Sequence, residues 1–342
     1  MLFIAGITIL IAFVFTFTNG FQDAASIAAT FIASRSATPA RGITLVAIMA
    51  GAGAVLGGSA VAFTLSGLLA IAPGETVILV LFAALLAAAA WNLLAWRLSL
   101  PSSSTHALIG GMVGAGMTFA GVESVYWGWS ELMGPDHELT GLAKILLFLI
   151  LSVIAGLAGG FVMRKTTALL LRNARRRINA TIRRFNWMAA AGMAFYNGAN
   201  DAQKQMGIIA LVLLAAGETA SLEVPLWARI GCALLLAAGT LGGGWRIMKT
   251  LGARIFTVTP IHSFDSQVAS GATLAVSTLA GAPVSSTCII AGSVLGVGAA
   301  ENPRKVQWSV GRDIAVAMVL AIPGTMAIAG LISWGIRLAM GM

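Results

Sequence analysis

Apolar stretches follow one another along almost the whole chain and are separated by short polar segments. A helix of about 20 apolar residues is long enough to cross the hydrocarbon core of a bilayer. The pattern predicts ten such spans, near residues 2–33, 43–70, 76–97, 103–120, 141–163, 187–216, 226–249, 264–281, 284–299 and 307–338. The first, second, sixth and last are long enough to be broken, tilted or doubled, so we expect about 10–12 membrane segments.

The composition agrees with a membrane protein and excludes a soluble one. Only 10% of the 342 residues are charged and 58% are hydrophobic, whereas a soluble domain carries about 25% charged residues. The 40 glycines and the alanine runs favour close packing of helices in lipid. A transmembrane barrel would show short alternating segments instead. The chain is therefore expected to be an all-α polytopic membrane protein.

The basic residues lie in one set of alternate loops, which argues against nucleic-acid binding despite a net charge of +9. Sixteen of the 21 Lys and Arg residues lie there, eight of them in 164–186. Most acidic residues lie in the other loops. The positive-inside rule then predicts a multi-pass plasma or inner membrane protein with a cytoplasmic connector at 164–186 and both termini outside. Cys232 and Cys288, 56 residues apart in apolar stretches, are expected to be packing residues.

Two unrelated motifs each occur twice, in the same order. Asn19–Ala24 reads NGFQDA and is answered by NGANDA at Asn197–Ala202. Pro101–Thr105 reads PSSST and is answered by PVSST at Pro283–Thr287. The aspartate of the first motif precedes the proline of the second by 78 residues in one half and by 82 in the other. This agreement indicates an internal duplication.

The duplication and the loop charges together predict two repeats of inverted topology. An odd number of crossings separates the two Asn-Gly motifs, so the repeats begin on opposite sides of the membrane. We expect a first repeat at 1–163, the basic connector at 164–186 and a second repeat at 187–342. Inverted repeats with broken or re-entrant helices are typical of alternating-access transporters, whose site lies at the midplane. Both motifs are expected to break their helices there.

The second motif predicts an anion site in each repeat. Proline suits the first turn of a helix, and the following hydroxyls lie beside free N–H groups that bind anions. Lys204 lies one helical turn after the motif aspartate and could contact the anion or neutralise that aspartate. The predicted anion-binding residues are Ser103, Ser104, Thr105, Ser285, Ser286, Thr287, Gln22, Asn200 and Lys204. Helix capping alone is the competing explanation for the serines and threonines.

The first motif predicts the coupling site. An ionised carboxylate in mid-membrane must be paired, protonated or bound to a cation. Asp23 and Asp201 are therefore the predicted coupling residues, with Asn19 and Asn197 supplying amide oxygens. Oxygen ligands suit sodium, which we favour, while burial also makes proton uptake by the same carboxylates feasible. No other cofactor is expected.

These motifs resemble those of the inorganic phosphate transporter (PiT) family. The resemblance rests on NGFQDAASIA, PSSSTHALIGG, FYNGANDAQKQMGII and GAPVSSTCIIAGSVLGVG, together with KTLGARIF and SFDSQVASG, and spans nearly the whole chain. It implies an inverted-repeat helical fold, phosphate as substrate and coupling to sodium or protons. Three positions depart from the family pattern: Ser26 stands for a usual Asn, Gln205 for Thr, and Cys288 for His.

The residues and the resemblance together predict a secondary active transporter that imports phosphate with a cation, working in a lipid bilayer. A sulfate permease of the same family is the nearest alternative, followed by an anion channel. An intramembrane phosphatase is disfavoured because no nucleophile–base set is present, so we expect no enzyme activity. His106, His262 and the Arg312–Asp313 pair are expected to be structural. A homodimer is an expectation from the resemblance alone.

Overall fold

A computed structural model describes residues 1–98, 102–134, 137–173, 178–242 and 255–341. All regular elements in these residues are helical, and the only strand-like pairing among them is a single bridge between Leu69 and Val125. The α-helices are α1 (Leu2–Ala33), α2 (Pro39–Leu56), α3 (Ala60–Ser66), α4 (Glu75–Arg97), α5 (Ser104–Ala120), α6 (Trp129–Met133), α7 (Gly141–Leu170), α8 (Ile178–Ala215), α9 (Leu226–Gly242), α10 (Pro260–Leu279), α11 (Ser286–Glu301) and α12 (Trp308–Met340).

Nine of the predicted spans coincide with a helix or a pair of helices, and the span 226–249 does so over α9, with its last residues, 243–249, outside the described ranges. Within the described residues, five helices (α1, α2, α4, α7 and α12) are long and apolar enough to cross a membrane, and α9 and α11 are shorter apolar helices. Helix α8 is the longest at 38 residues, and its Asn-Gly motif and basic first turns lower its hydropathy. The all-helical polytopic fold expected from the sequence is confirmed.

The helix breaks do not all lie where the sequence suggested. Helix α1 runs without interruption through Asn19–Ala24, and α8 runs through Asn197–Ala202. The expectation of a break at the first motif is therefore wrong, because a continuous helix satisfies its own backbone while the polar side chains point inward. The chain is broken at the second motif instead, between α4 and α5 and between α10 and α11.

Glycines let the two halves interlock at very short range. A methyl group on Gly20 of α1 would overlap the backbone carbonyl of Leu236 in α9. The same relation recurs between α8 and α2, where a methyl on Gly198 would overlap the carbonyl of Ala50. The glycines are 178 residues apart and their partners 186 apart. Each half therefore packs its first long helix against the second helix of the other half in the same register.

The helices that follow the second motif also pack against helices of the other half. Helix α5 packs on α12, and its counterpart α11 packs on α7. Gly114 of α5 lies against the backbone of Met326, and Gly296 of α11 lies against that of Leu157. Two apolar clusters fill the interior, one around α4, α5 and the C-terminal part of α8, the other around α10, α11 and the C-terminal part of α1. The polar motifs lie between these two clusters.

Some residues singled out in the sequence lie outside the described ranges. These are Pro101 of the second motif, Arg175, Arg176 and Arg177 of the basic connector, and residues 249–254 of the KTLGARIF stretch. The domain boundaries at 163 and 186 fall within α7 and α8, and the division of the chain into repeats stays a prediction.

Candidate functional site

The first motif of each half places an amide and a carboxylate on one helix face. Asn19 precedes Asp23 by four residues in α1, and Asn197 precedes Asp201 by four residues in α8, so each pair lies one turn apart. All four side chains are at most 2% exposed. The helices are continuous here, so the site is built from side chains projecting off two intact helices.

The second motifs bring two helix N-termini together. Ser103 caps α5 by accepting a hydrogen bond from the His106 backbone N–H, and Ser285 caps α11 by accepting one from Cys288. Thr105 Oγ1, in the first turn of α5, donates to the Val284 carbonyl oxygen just before α11 at 3.0 Å. The positive ends of two helix dipoles therefore meet, an arrangement that favours a negative charge between them.

Lys204 lies at this meeting point and is 1% exposed. Its Nζ donates to Asp201 Oδ1 at 2.5 Å, to Thr105 Oγ1 at 2.7 Å and to the Val284 carbonyl oxygen at 2.7 Å. Three acceptors match the three donors of an ammonium group. Of the two roles considered from the sequence, neutralising Asp201 is the one that the geometry shows, and the same ammonium also ties α8 to both helix starts.

Hydroxyl groups of α11 complete the link between the halves. Ser286 Oγ donates to Asp201 Oδ2 at 3.0 Å, and Thr287 Oγ1 donates to Asp23 Oδ1 at 3.1 Å. The carboxyl groups of Asp23 and Asp201 also lie close enough to interact with each other. One start of α11 thus contacts the acidic residue of both first motifs.

Two amide side chains, of Gln22 and Asn200, hold the segments that lead into α5 and α11. Gln22 Nε2 donates to the Ser102 carbonyl oxygen at 3.0 Å, and Asn200 Nδ2 donates to the Ala282 carbonyl oxygen at 3.1 Å. Each contact joins the first motif of one half to the second motif of the same half. Gln22 and Asn200 therefore position the anion-binding segments as well as presenting their own oxygens to the site.

Several buried oxygens of the site have no hydrogen-bond partner within the described part of the chain. They are Asn19 Oδ1, Gln22 Oε1, Asp23 Oδ2, Asn197 Oδ1 and Asn200 Oδ1. A buried polar atom left unpaired costs about 1–3 kcal/mol, so five in one place indicate a missing partner. Asn19 Nδ2 is unpartnered as well, but the other four residues leave only acceptors unpaired, so the missing partner there is a cation or a hydrogen-bond donor.

The structure brings the site residues predicted from sequence close together. Some of them form a hydrogen-bonded network and others cap the helices. Asp201, Lys204, Thr105, Ser286, Thr287 and Asp23 form one connected network. Ser103 and Ser285 use their hydroxyls as helix caps, and Ser104 is buried at the start of α5. His106 bonds Ser103 through Nδ1 at 2.6 Å, in keeping with the structural role expected for it.

A second ionic cluster, in which only the aspartate is fully buried, was not identified from the sequence. Arg164 of α7 bonds Glu301 of α11 at 2.6 Å and lies 3.6 Å from the fully buried Asp265 of α10. Thr167 donates to the same Asp265 carboxylate at 2.8 Å. Burial acts to raise the pKa of Glu301, but the hydrogen bond and charge of Arg164 together with His262 outweigh it and hold that pKa below its ordinary value. The available signal was an acidic residue inside an apolar helix, which marks a functional or structural pairing.

The interlocked apolar helices and the buried charged site are those of a polytopic membrane protein. The residue pattern of the phosphate transporter family matches residues 19–329, and the chain belongs to that family. Members of that family are phosphate transporters, not enzymes.

Individual relatives agree over nearly the full length. The chain is 36% identical over 325 residues to the "Probable low-affinity inorganic phosphate transporter" of Rhizobium meliloti, covering 94% of this chain and 93% of the relative. The protein of the same description from Bacillus subtilis is 32% identical over 325 residues and covers 94% of each chain. A solved structure described as "The sodium-dependent phosphate transporter" superposes with a TM-score of 0.87 at 22% identity, covering 98% of this chain and 99% of that one, and shows the same fold.

Proposed function

We propose that the chain is a sodium-coupled phosphate symporter that works by alternating access. The single observation that carries the proposal is the joining of two helix N-termini, two carboxylates and five unpartnered oxygens in one buried place. Helix N-termini suit an anion, and unpaired oxygens suit a hard cation. A site that offers both kinds of ligand side by side suits the transport of an anion together with a cation.

Phosphate is proposed to bind between the starts of α5 and α11. The backbone N–H groups of the first turns would contact its oxygens, with hydroxyls from Ser104, Thr105, Ser286 and Thr287 beside them. Lys204 already bridges this gap through Thr105 and the Val284 carbonyl oxygen, so its ammonium is in place to contact the anion. Ser103 and Ser285 would act indirectly, because their hydroxyls cap and so fix the starts of α5 and α11.

Sodium is proposed to bind where each first motif leaves oxygens unpaired. Asn19 Oδ1 and Asp23 Oδ2 lie one helical turn apart in α1, and Asn197 Oδ1 lies one turn before Asp201 in α8. The solved structure of the same fold is described as sodium-dependent, which supports the same ion here. In the second half both Asp201 oxygens are already bonded, to Lys204 and Ser286, so a sodium ion there would rely on the amide oxygens of Asn197 and Asn200.

The charges explain why phosphate would need its cations. Asp23, Asp201 and Lys204 leave the site with one net negative charge when all three are ionised. A divalent phosphate added alone would meet that charge at low effective dielectric, where repulsion is strong. Each sodium ion offsets one charge, so binding of anion and cation would favour each other. This reciprocal coupling is the thermodynamic basis of symport.

The carboxylates would also separate phosphate from sulfate. Phosphate near neutral pH still carries a P–OH proton, whereas sulfate has none to donate. A carboxylate oxygen such as Asp23 Oδ2, which has no partner in the described chain, can accept that hydrogen bond from phosphate and would repel sulfate. Sites built around a hydrogen-bonding partner discriminate by larger factors than sites built on size.

The mirrored helix packing supports alternating access. Each half packs its helices on those of the other half in the same register. The pairs are α1 with α9 and α8 with α2, and α5 with α12 and α11 with α7. If the halves are inverted in the membrane, each can adopt the other's conformation and the site opens to alternate sides. The inverted orientation, the cytoplasmic place of 164–186, the external termini and a homodimer all stay predictions.

Uptake of labelled phosphate into proteoliposomes tests the proposal. An inward sodium gradient at equal pH on both sides should drive phosphate above its equilibrium level. An anion channel would only equilibrate phosphate, and accumulation therefore separates the two. A hundredfold excess of unlabelled sulfate should leave uptake unchanged, whereas strong competition by sulfate would indicate the sulfate permease instead.

A further inference from the structure

The buried side chains on one side of the central site differ in character from those on the other. From Asp23 towards the C-terminal end of α1, the inner faces of α1 and α10 carry six polar residues, each at most 4% exposed. They are Thr30, Ser34, Ser263, Ser266, Gln267 and Ser270. We call this set the polar file.

The internal duplication gives each of these residues a counterpart on the other side of the site. Helices α1 and α8 are related by 178 residues through their Asn-Gly motifs. Helices α4 and α10 are related by 182, because each ends four residues before the proline of its second motif. The counterparts are Ile208, Val212, Leu81, Ala84, Leu85 and Ala88. All six are buried in one apolar cluster.

Two members of this region are left with unsatisfied polar atoms. The hydroxyls of Ser34, Ser266 and Ser270 bond carbonyls of their own helix, so their burial alone indicates little. Gln267 Oε1 and the hydroxyl of Ser26, one turn after Asp23, have no partner among the described residues. Gln267 Nε2 reaches Thr30 Oγ1 only at 3.5 Å, the limit of a hydrogen bond. These atoms retain capacity for water or an ion.

The polar file leads to a basic cavity at the surface. At its outer end Asn186 Nδ2 donates to Ser36 Oγ at 2.9 Å, and Ser263 Oγ donates to Asn186 Oδ1 at 3.3 Å. Ser36 also lines a cavity of about 580 Å³ whose walls include Arg35 and Arg41. Two exposed guanidinium groups at a polar mouth raise the local concentration of an anion.

We propose that the polar file is the route by which phosphate and its cation pass between the central site and the Arg35–Arg41 cavity. The Asn186 bridge closes this route at its outer end, and the apolar cluster seals the counterpart route on the opposite side. An anion with its counterion can cross a region of hydroxyls and amides, whereas a packed apolar cluster offers it no partners. The inference rests on the transport function proposed above, because it concerns the path to that site.

Paired cysteines test the route without needing transport. The full-length protein in detergent is treated with a small charged thiol reagent, and the unmodified chain with its buried Cys232 and Cys288 gives the background. The variant Thr30→Cys should react at least about tenfold faster than its counterpart Ile208→Cys, because reaction follows access to water. Gln267→Cys and Leu85→Cys form a second pair if a variant of the first does not fold. Equal rates, or faster reaction at the counterpart, would overturn the proposal.

A matched pair of threonines separates the route from the binding site. Thr30→Val should slow phosphate uptake by about threefold or more, as expected for one lost hydroxyl contact on a barrier, while equilibrium phosphate binding is unchanged. Thr8→Val makes the same change in α1, at a buried hydroxyl bonded to its own helix on the other side of Asp23, and should leave uptake unaltered. Uptake by Thr30→Val at the Thr8→Val rate would contradict the route. Failure of the unmodified chain to take up phosphate would instead reject the transport function and leave the cysteine comparison valid.

Discussion

Thr287 of α11 donates a hydrogen bond to Asp23 of α1 at 3.1 Å, although the two residues are 264 positions apart. The reciprocal link joins the first motif of the second half to the second motif of the first half, through Lys204 and Thr105 at 2.7 Å. Each carboxylate motif is therefore bonded to the helix start of the other half. Any movement of one half against the other must break or replace these bonds, and a bound anion and cation can replace them.

Removing the Thr287 hydroxyl should weaken phosphate binding. Thr287→Val keeps the shape of the side chain but leaves Asp23 Oδ1 unpaired and removes one donor from the anion site. We expect the apparent affinity to fall by about 1–3 kcal/mol. The concentration dependence of uptake measures this, with Thr16→Val as a control that loses a hydroxyl bonded within α1. Unmodified affinity in Thr287→Val would mean that the hydroxyl serves only to bond Asp23 and does not contact phosphate.

Lys204 should be required for stability because of Asp201. Lys204→Met leaves a buried carboxylate without its ammonium, which costs about 3–5 kcal/mol when one partner of a buried pair is removed. Thermal unfolding in detergent should show a clear decrease in midpoint. The double variant Asp201→Asn with Lys204→Met should recover much of that loss, since no buried charge is left unpaired, yet remain inactive in uptake. A double variant as unstable as the single one would contradict this account.

Arg164 should hold α7, α10 and α11 together. Arg164→Met leaves the fully buried Asp265 without its cationic partner and should destabilise the protein strongly. Arg164→Lys keeps the charge and should lose less stability. Arg312→Met is the control, because the Arg312–Asp313 pair is mostly exposed and contributes little. The unfolding midpoint of each variant gives the comparison. Equal effects of Arg164→Met and Arg312→Met would show that the cluster is not a structural tie.

Loop accessibility tests the predicted orientation. Asn173 and Glu218 are both exposed, Asn173 after α7 in the basic connector and Glu218 after α8 in an acidic loop. With 164–186 in the cytoplasm, Asn173→Cys should be labelled in intact cells only by reagents that cross the membrane. Glu218→Cys should be labelled by impermeant reagents. Labelling of both positions from the same side would contradict the inverted repeats.

The sequence was sufficient for the fold and for the membership of the site because both leave periodic or repeated signals. Long apolar runs predict helices in lipid whatever their neighbours, and the duplicated motifs identified Asp23, Asp201 and Thr287 before any geometry was known. A repeated motif identifies residues on separate helices that are expected to lie close together if the two halves have the same fold. It does not say which atoms are bonded.

The sequence was insufficient where side chains choose among several partners. Asn-Gly suggested a helix break at Asn19, but backbone hydrogen bonding within α1 outweighs the weak helix preference of those residues. The pairing of Arg164 with Asp265 joins two helices about 100 residues apart and leaves no local pattern. The contrast between the polar file and the apolar cluster required the register of α4 against α10, which only the helix ends supplied.

The coupling ion is decided by what fills the unpartnered oxygens. Asn19 Oδ1, Asn197 Oδ1 and Asn200 Oδ1 all lack a donor, and a protonated Asp23 or Asp201 could offer its single O–H to only one of them. A sodium ion beside Asp23 would use both an amide and a carboxylate oxygen, so we expect sodium to drive uptake. Phosphate uptake into proteoliposomes should therefore collapse when choline replaces sodium at fixed pH.

Asn19→Leu should raise the sodium concentration needed for half-maximal uptake, because it removes one ligand but no charge. Asn92→Leu, which removes a buried amide of α4 that also lacks a partner in the described chain, is the matched control and should leave the sodium dependence unchanged. Full uptake in choline, with stimulation by an inward proton gradient, would assign the carboxylates to protons and reject the sodium sites.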